Sequence, residues 1–590
     1  MKKQKDSFLI GSMIKQVMLI TSLSGFVTLL GSFVDGILIG RYLGSSCMSS
    51  FGLFNPFLLI CVAVSSLFMS GGKIHASNYI GSGKMKEANG VFCIITATIT
   101  IVSVLISIGM LVFSEPLAAA LGASKDISMM QPLTDYIRGI SFGMPAMMIM
   151  FCVTSYLQID GENLKLIASM LIMVVVNITG DLLCIFVIKN GMFGMGLATS
   201  VSNICGALVV LSHFISKKSS FRFTLKDMPW KNLGSILYSG IPTVSQRIYS
   251  AVANYALNYI VLIVAGVIGG AAQSTRGNIS ALFLTLGASL GNATLMVGSL
   301  MYGEQDKQGL RNIQKKSISI SLKITIVLTV IMFVFAEPIT RLYMNGSDEA
   351  SMNMAVQAIR MFSFALPFSS ICDILAGYYQ SVRQVRMANI VPLFEYLIIP
   401  VILAYVLGHT SFGAFGIWIS YPIAEVLTLL IVTVIVVLTN SKRKRKALDF
   451  SLLDDDFGYP EEDIYSKRIT NTDQCVEASV DSAGFCRKYT DDKRKIMLVS
   501  LAIEEMTRNI VQHGFGDKQN AVIDLKLIRD DDRFIVRIRD NCKPFNPKEY
   551  AQIHSSDSKE NNIGIRLVFG MISDIDYFSV LKLNNMKITL

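Results

Sequence analysis

The chain has 590 residues, of which 52% are hydrophobic and 16% are charged. This composition excludes a soluble globular protein for the first three quarters of the chain and indicates a polytopic membrane protein. The net charge of +10 does not indicate a nucleic-acid partner, because the Lys and Arg residues lie in short segments between apolar runs, as membrane topology requires.

Twelve apolar runs are long enough to span a bilayer, for which about 20 residues suffice. They lie near residues 15–38, 51–75, 91–113, 134–157, 164–188, 194–216, 235–264, 277–301, 317–336, 357–380, 388–408 and 412–439. Cations are concentrated in alternate junctions and in the stretch 442–446, which consists only of Lys and Arg. The positive-inside rule therefore predicts a multi-pass protein of the cell (inner) membrane with both termini in the cytoplasm.

The twelve runs form two copies of six, related by an offset of 222 residues. Glu115 corresponds to Glu337 in this register, and Gly81 corresponds to Gly303. A six-helix repeat keeps its membrane orientation, so two lobes with a substrate path between them are expected, as in many transporters. The predicted fold is an all-α polytopic membrane protein of twelve transmembrane helices in two six-helix repeats. The predicted lobes are residues 1–220 and residues 221–440.

Polar side chains interrupt the apolar runs of the first lobe. Asn177 and Asp181 lie four residues apart, on one face of a predicted helix. Asp35 in the first run and Thr199 in the sixth are predicted to lie at a similar depth, in the outer half of the lobe. An ionisable group in hydrocarbon costs about 3 kcal/mol even on a lenient scale, so it normally faces a cavity, a partner or a transported ion.

The second copy shows that the fold does not require these polar groups. The counterparts of Asp35, Asn177 and Asp181 are apolar: Leu257, Ile399 and Leu403. Two carboxylates, an amide oxygen and a hydroxyl can bind a small cation, or the two carboxylates can share a proton. The alternative is structural hydrogen bonding between helices. The apolar counterparts favour the functional interpretation.

Several short motifs of the transmembrane part occur together in one known family. They are segment 34–41, loop 81–84, its second copy 303–306, the Asn177–Asp181 pair and Ala198–Thr199. In these motifs, residues 10 to 440 resemble the multidrug and toxic compound extrusion (MATE) transporters. The resemblance implies an antiporter that exports organic, often cationic, compounds against an inward flow of Na⁺ or H⁺. It also implies that Asp35, Asn177, Asp181 and Thr199 form the coupling site, whereas Glu395 in the second lobe matches no motif and is left out.

The expected partners of this part are therefore small organic substrates and membrane lipid, without nucleic acid. A flippase for lipids or polysaccharide precursors is an alternative, because related folds move such cargo.

The composition changes after Asn440. Residues 441–462 are predicted to form a basic and acidic linker whose cations contact anionic lipid headgroups. Residues 463–590 are predicted to form a small cytoplasmic α/β sandwich domain of ordinary size for independent folding. Its predicted elements are a strand from Tyr465, helices near 474–488 and 492–513, strands 521–528 and 533–540, a helix at 563–573 and closing strands.

This last domain contains four residues that together suit a nucleotide. Glu505 and Asn509 lie one helical turn apart, Asp540 ends a strand, and Gly564 opens a helix. A carboxylate at a strand end can accept from the amino group of a base, and a helix N-terminus can hold phosphate.

The combination resembles the GHKL-type ATP-binding fold of gyrase, histidine kinases and, most closely, the anti-sigma-factor serine kinases. The resemblance implies ATP and Mg²⁺ as cofactors, with Glu505 as the catalytic base and Asn509 holding the metal. It also implies that Asp540 binds adenine and that Gly564 belongs to the phosphate lid.

Two positions depart from the pattern of that family, since Cys542 and Asn562 stand where glycine is usual. A Cβ at either place would crowd the nucleotide or a turn that requires positive φ. Binding is therefore favoured over catalysis, and the domain is expected to regulate the transporter, with a protein partner as a further option. The alternative from the enzyme class is a membrane-tethered protein serine kinase whose transmembrane helices act as a sensor.

Overall fold

The computed structural model describes residues 7–125, 127–216, 219–224, 228–343, 349–443, 446–516, 520–544 and 574–590. The transmembrane part is helical, and the C-terminal part is a five-stranded sheet with two long helices.

The first lobe is built from long apolar helices and one short connecting helix. They are α1 (Ser7–Leu38), α2 (Ser45–Gly81), α3 (Met85–Val112), α4 (Ser114–Ala120), α5 (Ile127–Ser141), α6 (Met144–Ile159), α7 (Asn163–Leu183) and α8 (Gly191–Ile215). Helices α5 and α6 meet at a bend of 52°, where Pro145 occupies the start of α6. Proline suits the first turn of a helix and cannot continue the preceding one, so the bend follows from the sequence.

The second lobe repeats this arrangement. Its helices are α9 (Leu233–Gly303), α10 (Lys307–Val334), α11 (Ala336–Tyr343), α12 (Glu349–Ser363), α13 (Leu366–Ser381), α14 (Val385–Pro392), α15 (Ile399–Gly408) and α16 (Gly413–Lys442). Helix α9 contains a break at Gly266, where φ is 60°, so it supplies two spans. The described helices give 10 candidate spans, or 12 when each bent pair counts as one. The predicted twelve-helix fold agrees with this architecture.

The two lobes touch most closely where α2 crosses α9. A Cβ on Gly303 would lie 2.0 Å from the carbonyl oxygen of Asn78, and one on Gly81 would lie 2.0 Å from that of Leu300. Ser82 Oγ also donates to the Gly303 carbonyl at 2.8 Å. Only glycine permits backbones this close. The lobes are thus closed against each other at loops 82–84 and 304–306, a side that we call the domain-side face because the C-terminal domain contacts it.

The C-terminal domain is an antiparallel sheet with helices on one face. Its elements are β1 (Ile464–Ile469), α17 (Thr472–Cys486), α18 (Lys493–Asn509), β2 (Ile523–Asp530), β3 (Arg533–Asp540), β4 (Asp574–Val580) and β5 (Leu583–Thr589). The strand order is β1-β2-β3-β5-β4, and all neighbours are antiparallel. These elements agree with the predicted ones, except that the predicted helix at 563–573 lies outside the described residues.

The two faces of this sheet pack against different partners. The face that carries Leu525, Val536 and Ile538 forms a core with α17 and α18. The opposite side contributes Leu583 and the β4–β5 turn residue Leu581 to the core of the transmembrane part. The domain is therefore docked on the transporter through the sheet face that its own helices leave uncovered.

The predicted linker also packs against the second lobe. Phe457 stacks on Tyr302 with ring centroids 4.9 Å apart, and Asp449 forms an ion pair with Arg311 at 2.7 Å. Leu452 is buried in the transmembrane core. The described linker residues thus pack on the second lobe before the chain enters the C-terminal domain.

Candidate functional site

The first-lobe cluster lies at helix ends far from the domain-side face. Asp35 is near the end of α1, Asp181 near the end of α7, and Thr199 early in α8. The Asn177 amide donates to Thr199 Oγ1 at 3.4 Å, and Thr199 donates to the Met195 carbonyl at 3.1 Å. The carboxyl groups of Asp35 and Asp181 lie within hydrogen-bonding distance of each other. The structure brings all four predicted residues together.

Three of the four oxygens of the two carboxyl groups in this cluster lack donors among the described residues. Asp181 is 0% exposed. Apart from the facing carboxyl group, neither oxygen of Asp181 nor Oδ1 of Asp35 has a hydrogen-bond donor among the described residues. A buried carboxylate without donors is unfavourable as an anion, and two facing carboxylates repel each other. The pair can therefore hold a shared proton or a small cation.

Tyr136 on α5 completes this cluster. Its hydroxyl is within hydrogen-bonding distance of Thr199, and it lies close enough to both carboxyl groups to interact electrostatically. Its ring is held by Phe51 and Phe54, with ring centroids 5.5 and 5.3 Å away. Sequence reasoning missed this residue, because a tyrosine at the start of an apolar run is usually a packing residue and no spacing links it to Asp181.

A second buried acidic cluster lies in the second lobe. Asp373 on α13 is 6% exposed, and its Oδ1 accepts from Gln246 Nε2 at 3.2 Å and from the Tyr396 hydroxyl at 3.0 Å. Glu395 is 2% exposed, and its Oε1 accepts from Ser369 Oγ at 3.1 Å.

Glu395 also belongs to a set of possible cation ligands. One ligand atom each from Cys372, Glu395 and Glu425 lies within 4.8 Å of the others. Oε2 of Glu395 and Oε2 of Glu425 are buried without a donor in the part of the chain that the structure describes. A proton or a cation shared between these glutamates would neutralise the charge.

The signal for this second cluster was present in the sequence. Asp373 and Glu425 are acids within apolar runs, which is the pattern that identified Asp181. In the repeat register they correspond to Phe151 and Asn203, so the fold does not require a carboxylate at either position. Glu395 was considered and left out because it matched no motif, whereas the structure places it beside two further carboxylates.

In the C-terminal domain, Asp540 is a buried carboxylate at the end of β3. It is 3% exposed and lies on the sheet face covered by the helices. Its Oδ1 accepts from Asn584 Nδ2 and from the Cys542 backbone N–H, both at 2.8 Å. Asn584, on β5, was not predicted, and nothing in its local sequence distinguishes it from Asn585.

The other predicted nucleotide residues lie on α18 or outside the described residues. Asn509 ends α18 and Glu505 lies one turn earlier, and α18 packs on β3 within one apolar core. The buried Nδ2 of Asn509 has no acceptor among the residues described, so a ligand oxygen could satisfy it. Gly564 and Asn562 lie outside the described residues. The structure therefore positions Glu505, Asn509 and Asp540 within one helix–sheet layer.

The strain expected at Cys542 is absent. Cys542 does not adopt a positive φ, and its side chain is 8% exposed. A Cβ added to Gly514 would lie 3.1 Å from the Cys542 Cβ, so this side chain packs beside the segment that follows α18. The expectation of a turn that needs glycine at 542 is wrong for this loop.

Comparison with known families gives three matches along the chain. Residues 21–183 match the MatE family model, and residues 280–453 match the model described as lipid II flippase MurJ. Residues 472–588 match the histidine kinase-like ATPase domain.

Relatives and solved structures agree with the first of these matches. The chain is 23% identical over 423 residues to the probable multidrug resistance protein YoeA of Bacillus subtilis (strain 168), covering 70% of this chain and 90% of the relative. It is also 23% identical over 465 residues to the multidrug export protein MepA of Staphylococcus aureus (strain bovine RF122 / ET3-1), covering 77% of this chain and 99% of that protein.

The fold is similar to that of a crystal structure of MATE in complex with MaL6, with a TM-score of 0.67 and 21% identity, over 72% of this chain and 97% of that one. It is also similar to an outward-facing conformation of a multidrug resistance MATE family transporter of the MOP superfamily, with a TM-score of 0.66 and 20% identity, over 73% and 97% of the two chains. The chain therefore combines a transmembrane part related to the MATE multidrug transporters with a C-terminal domain of the histidine kinase-like ATPase type.

Proposed function

We propose that the protein exports small organic, often cationic, compounds in exchange for Na⁺ or H⁺, and that its C-terminal domain binds ATP with Mg²⁺ and regulates this transport. The observation that carries the transport proposal is the facing pair of the half-buried Asp35 and the buried Asp181, in which Oδ1 of Asp35 and both oxygens of Asp181 lack donors among the described residues. The similarity to the multidrug export protein MepA supports the substrate class.

The physical basis of coupling is the different hydration of the two states of this pair. With a proton or Na⁺ bound, the charge is reduced and the pair tolerates a closed, dry lobe. After release, the exposed carboxylates are best stabilised by water, so the ion-free state favours a conformation that admits solvent. An ion that binds one conformation better than the other shifts the equilibrium between them by its differential affinity.

The test is ion-driven efflux of ethidium in proteoliposomes with an imposed Na⁺ or proton gradient. Asp35→Asn and Asp181→Asn should each reduce concentrative transport to the level of passive leak, while the protein remains folded and inserted. Glu115→Gln is the control, because it neutralises an exposed acid of the same lobe. If the first-lobe variants still drive concentrative efflux, coupling does not depend on Asp35 and Asp181.

A second candidate is a flippase for lipid-linked precursors. The match of residues 280–453 to the lipid II flippase model favours it. The same proteoliposomes, loaded with a fluorescent lipid-linked sugar, would show gradient-dependent translocation for this candidate and none for a transporter restricted to soluble compounds.

The nucleotide proposal is carried by the buried carboxylate of Asp540 on the helix-covered face and by the unsatisfied amide of Asn509. Asp540 would accept from the amino group of adenine, and Asn509 would hold Mg²⁺, which neutralises phosphate charge when bound. Glu505, one turn before Asn509, would act as the base in any phosphoryl transfer.

Calorimetry with the full-length protein in detergent tests this proposal. Asp540→Asn should weaken Mg-ATP binding most, because the charged acceptor is lost. Glu505→Gln should retain binding and remove any phosphoryl transfer. Absence of binding heat at every Mg²⁺ concentration would leave the domain without a nucleotide role and would remove the serine kinase alternative as well.

A further inference from the structure

The uncovered face of the C-terminal sheet carries charged residues that point at the transporter. In β3, alternate residues Phe534, Val536 and Ile538 face the helices of the domain. Because side chains alternate along a strand, Arg537 and Arg539 point to the opposite face. Both of them contact the domain-side face of the transmembrane part.

These arginines and one lysine bind the second-lobe loop. Arg539 forms an ion pair with Glu304, and their side chains are 15% and 8% exposed. Arg537 Nη1 donates to the Glu304 carbonyl at 2.6 Å. Lys526 on β2 pairs with Asp306 at 2.6 Å, with side chains 19% and 8% exposed. These ion pairs are shielded from water, unlike ordinary surface pairs.

Asp306 ties this contact to the start of a transmembrane helix. Its Oδ1 accepts from the Gly309 backbone N–H at 2.8 Å and so caps α10. Burial tends to raise the pKa of Asp306, but Lys526, the Gly309 N–H and Arg539 together hold it below its usual value. The lysine of the C-terminal domain thus contacts the residue that fixes the first turn of α10.

The same sheet also contacts the first lobe. The Leu581 backbone N–H donates to the Ile159 carbonyl, at the end of α6, at 2.8 Å. Leu581 is 2% exposed and belongs to the transmembrane core cluster. Lys587 Nζ on β5 donates to the Ser82 carbonyl, in the loop after α2, at 3.3 Å.

The turn between β4 and β5 is built for this contact. Both of its central residues have positive φ, 53° at Leu581 and 58° at Lys582. A two-residue hairpin of this kind normally uses Asn-Gly or Asp-Gly, since a leucine or a lysine pays a steric cost at positive φ. Leucine at this position does not stabilise the turn, but its side chain packs into the transmembrane core.

We propose that the uncovered sheet face of the C-terminal domain is a clamp that joins the two lobes at the domain-side face and slows their separation during transport. One rigid sheet binds the second lobe through Glu304 and Asp306, and the first lobe through Ile159 and Ser82. These loops flank the crossing at Gly81 and Gly303. The lobes must part here for the substrate path to open on this side. The contacts of the sheet with at least one of the two lobes must therefore break. The clamp does not depend on nucleotide binding.

Charge reversal in the full-length protein tests the contact between the sheet and the second lobe. Glu304→Arg and Arg539→Glu place like charges against each other, and the double exchange Glu304→Arg/Arg539→Glu restores an opposite pair. Lys467→Glu is the matched control, since Lys467 pairs with Asp481 at 2.8 Å on the helix-covered face of the same sheet. The readouts are hydrogen exchange of segments 78–84 and 300–306 and the initial rate of ethidium efflux.

Each single charge reversal should raise the hydrogen-exchange rate in both segments by about tenfold or more, as expected when a largely buried ion pair is broken. It should also raise the initial rate of efflux. The double charge reversal should return both readouts toward those of the parent, and Lys467→Glu should leave them unchanged. An unchanged hydrogen-exchange rate in Arg539→Glu, or faster hydrogen exchange with slower efflux, would overturn the proposal.

A second variant covers the case in which Arg539→Glu disrupts the domain itself, which would appear as lost protection of α18. Leu581→Asn/Lys582→Gly supplies the residues that the turn prefers but removes the leucine from the first lobe. The clamp requires faster exchange of segments 78–84 and 156–162 in this variant, with α18 still protected. A purely structural turn would instead become more stable, with those segments unchanged, and that result would contradict the clamp.

Discussion

Replacement of Gly303 by alanine should prevent the lobes from closing fully at the domain-side face. The added Cβ would lie 2.0 Å from the Asn78 carbonyl oxygen, whereas ordinary contacts begin at 3.4 Å. The nearest atoms are all backbone of α2 and cannot rotate away, so the helices must separate by about 1.4 Å, the difference between these distances. Overpacking of this kind costs about 1–3 kcal/mol. If only the closed state bears that cost, its population relative to the open state falls by about 5- to 150-fold.

The assay is the distance between spin labels at two exposed positions, Glu87 after loop 82–84 and Gln308 after loop 304–306. The labels are introduced in a background without the 10 native cysteines. Gly303→Ala should shift the distribution toward longer distances. Gly277→Ala is the matched control in the same helix, because a Cβ there meets nothing within 4 Å. A parental distance distribution in Gly303→Ala would refute the reasoning, since the contact would then not limit closure.

Three further predictions concern orientation, the nucleotide loop and pH. Protease added to inside-out vesicles should cleave the segment after Lys446, and right-side-out vesicles should protect it; the reverse pattern would contradict the cytoplasmic assignment. Cys542→Gly should keep Mg-ATP affinity at or above the parental value by calorimetry, because the backbone N–H that donates to Asp540 remains and only the side chain beside Gly514 is lost; a loss of affinity would show that this side chain is needed. The Lys526–Asp306 pair should contribute stability throughout pH 5–8, since the lowered pKa of Asp306 keeps it ionised there. That contribution should be complete above the unfolded pKa of about 3.9 and lost only as pH falls through the still lower folded value, which thermal unfolding of parent and Asp306→Asn across pH would measure.

Much of the transmembrane fold could be predicted because bilayer thickness dictates helix length and the repeat is written in the sequence. The correspondence of Gly81 with Gly303 was visible as an offset, and its cause is a reciprocal close approach of α2 and α9. The grouping of Asp35, Asn177, Asp181 and Thr199 followed from helix direction and depth. These inferences use local periodicity and sidedness, which a single sequence records directly.

The features that escaped prediction depend on contacts between distant segments. Tyr136 reaches the first-lobe cluster only because α5 packs against α8, and Asn584 reaches Asp540 only because β5 lies beside β3. The second-lobe acids were missed for a different reason. Glu395 matched no motif, and the two carboxylates that accompany it, Asp373 and Glu425, come from helices far apart in the chain.

Strand β3 packs against the helices of its own domain with one face and against the transporter with the other, within eight residues. This double packing limits which mutations the strand can accept. Shifting its register by one residue would turn Arg537 and Arg539 into the core of the domain and present Val536 and Ile538 to the loops of the transporter. Single-residue insertions and deletions in this strand would bury the two arginines without partners, which is unfavourable. We therefore expect them to be rare in this strand. Related chains that have lost the transmembrane part would escape the outer constraint, so their residues aligned with 537 and 539 should drift freely while those aligned with 536 and 538 stay apolar.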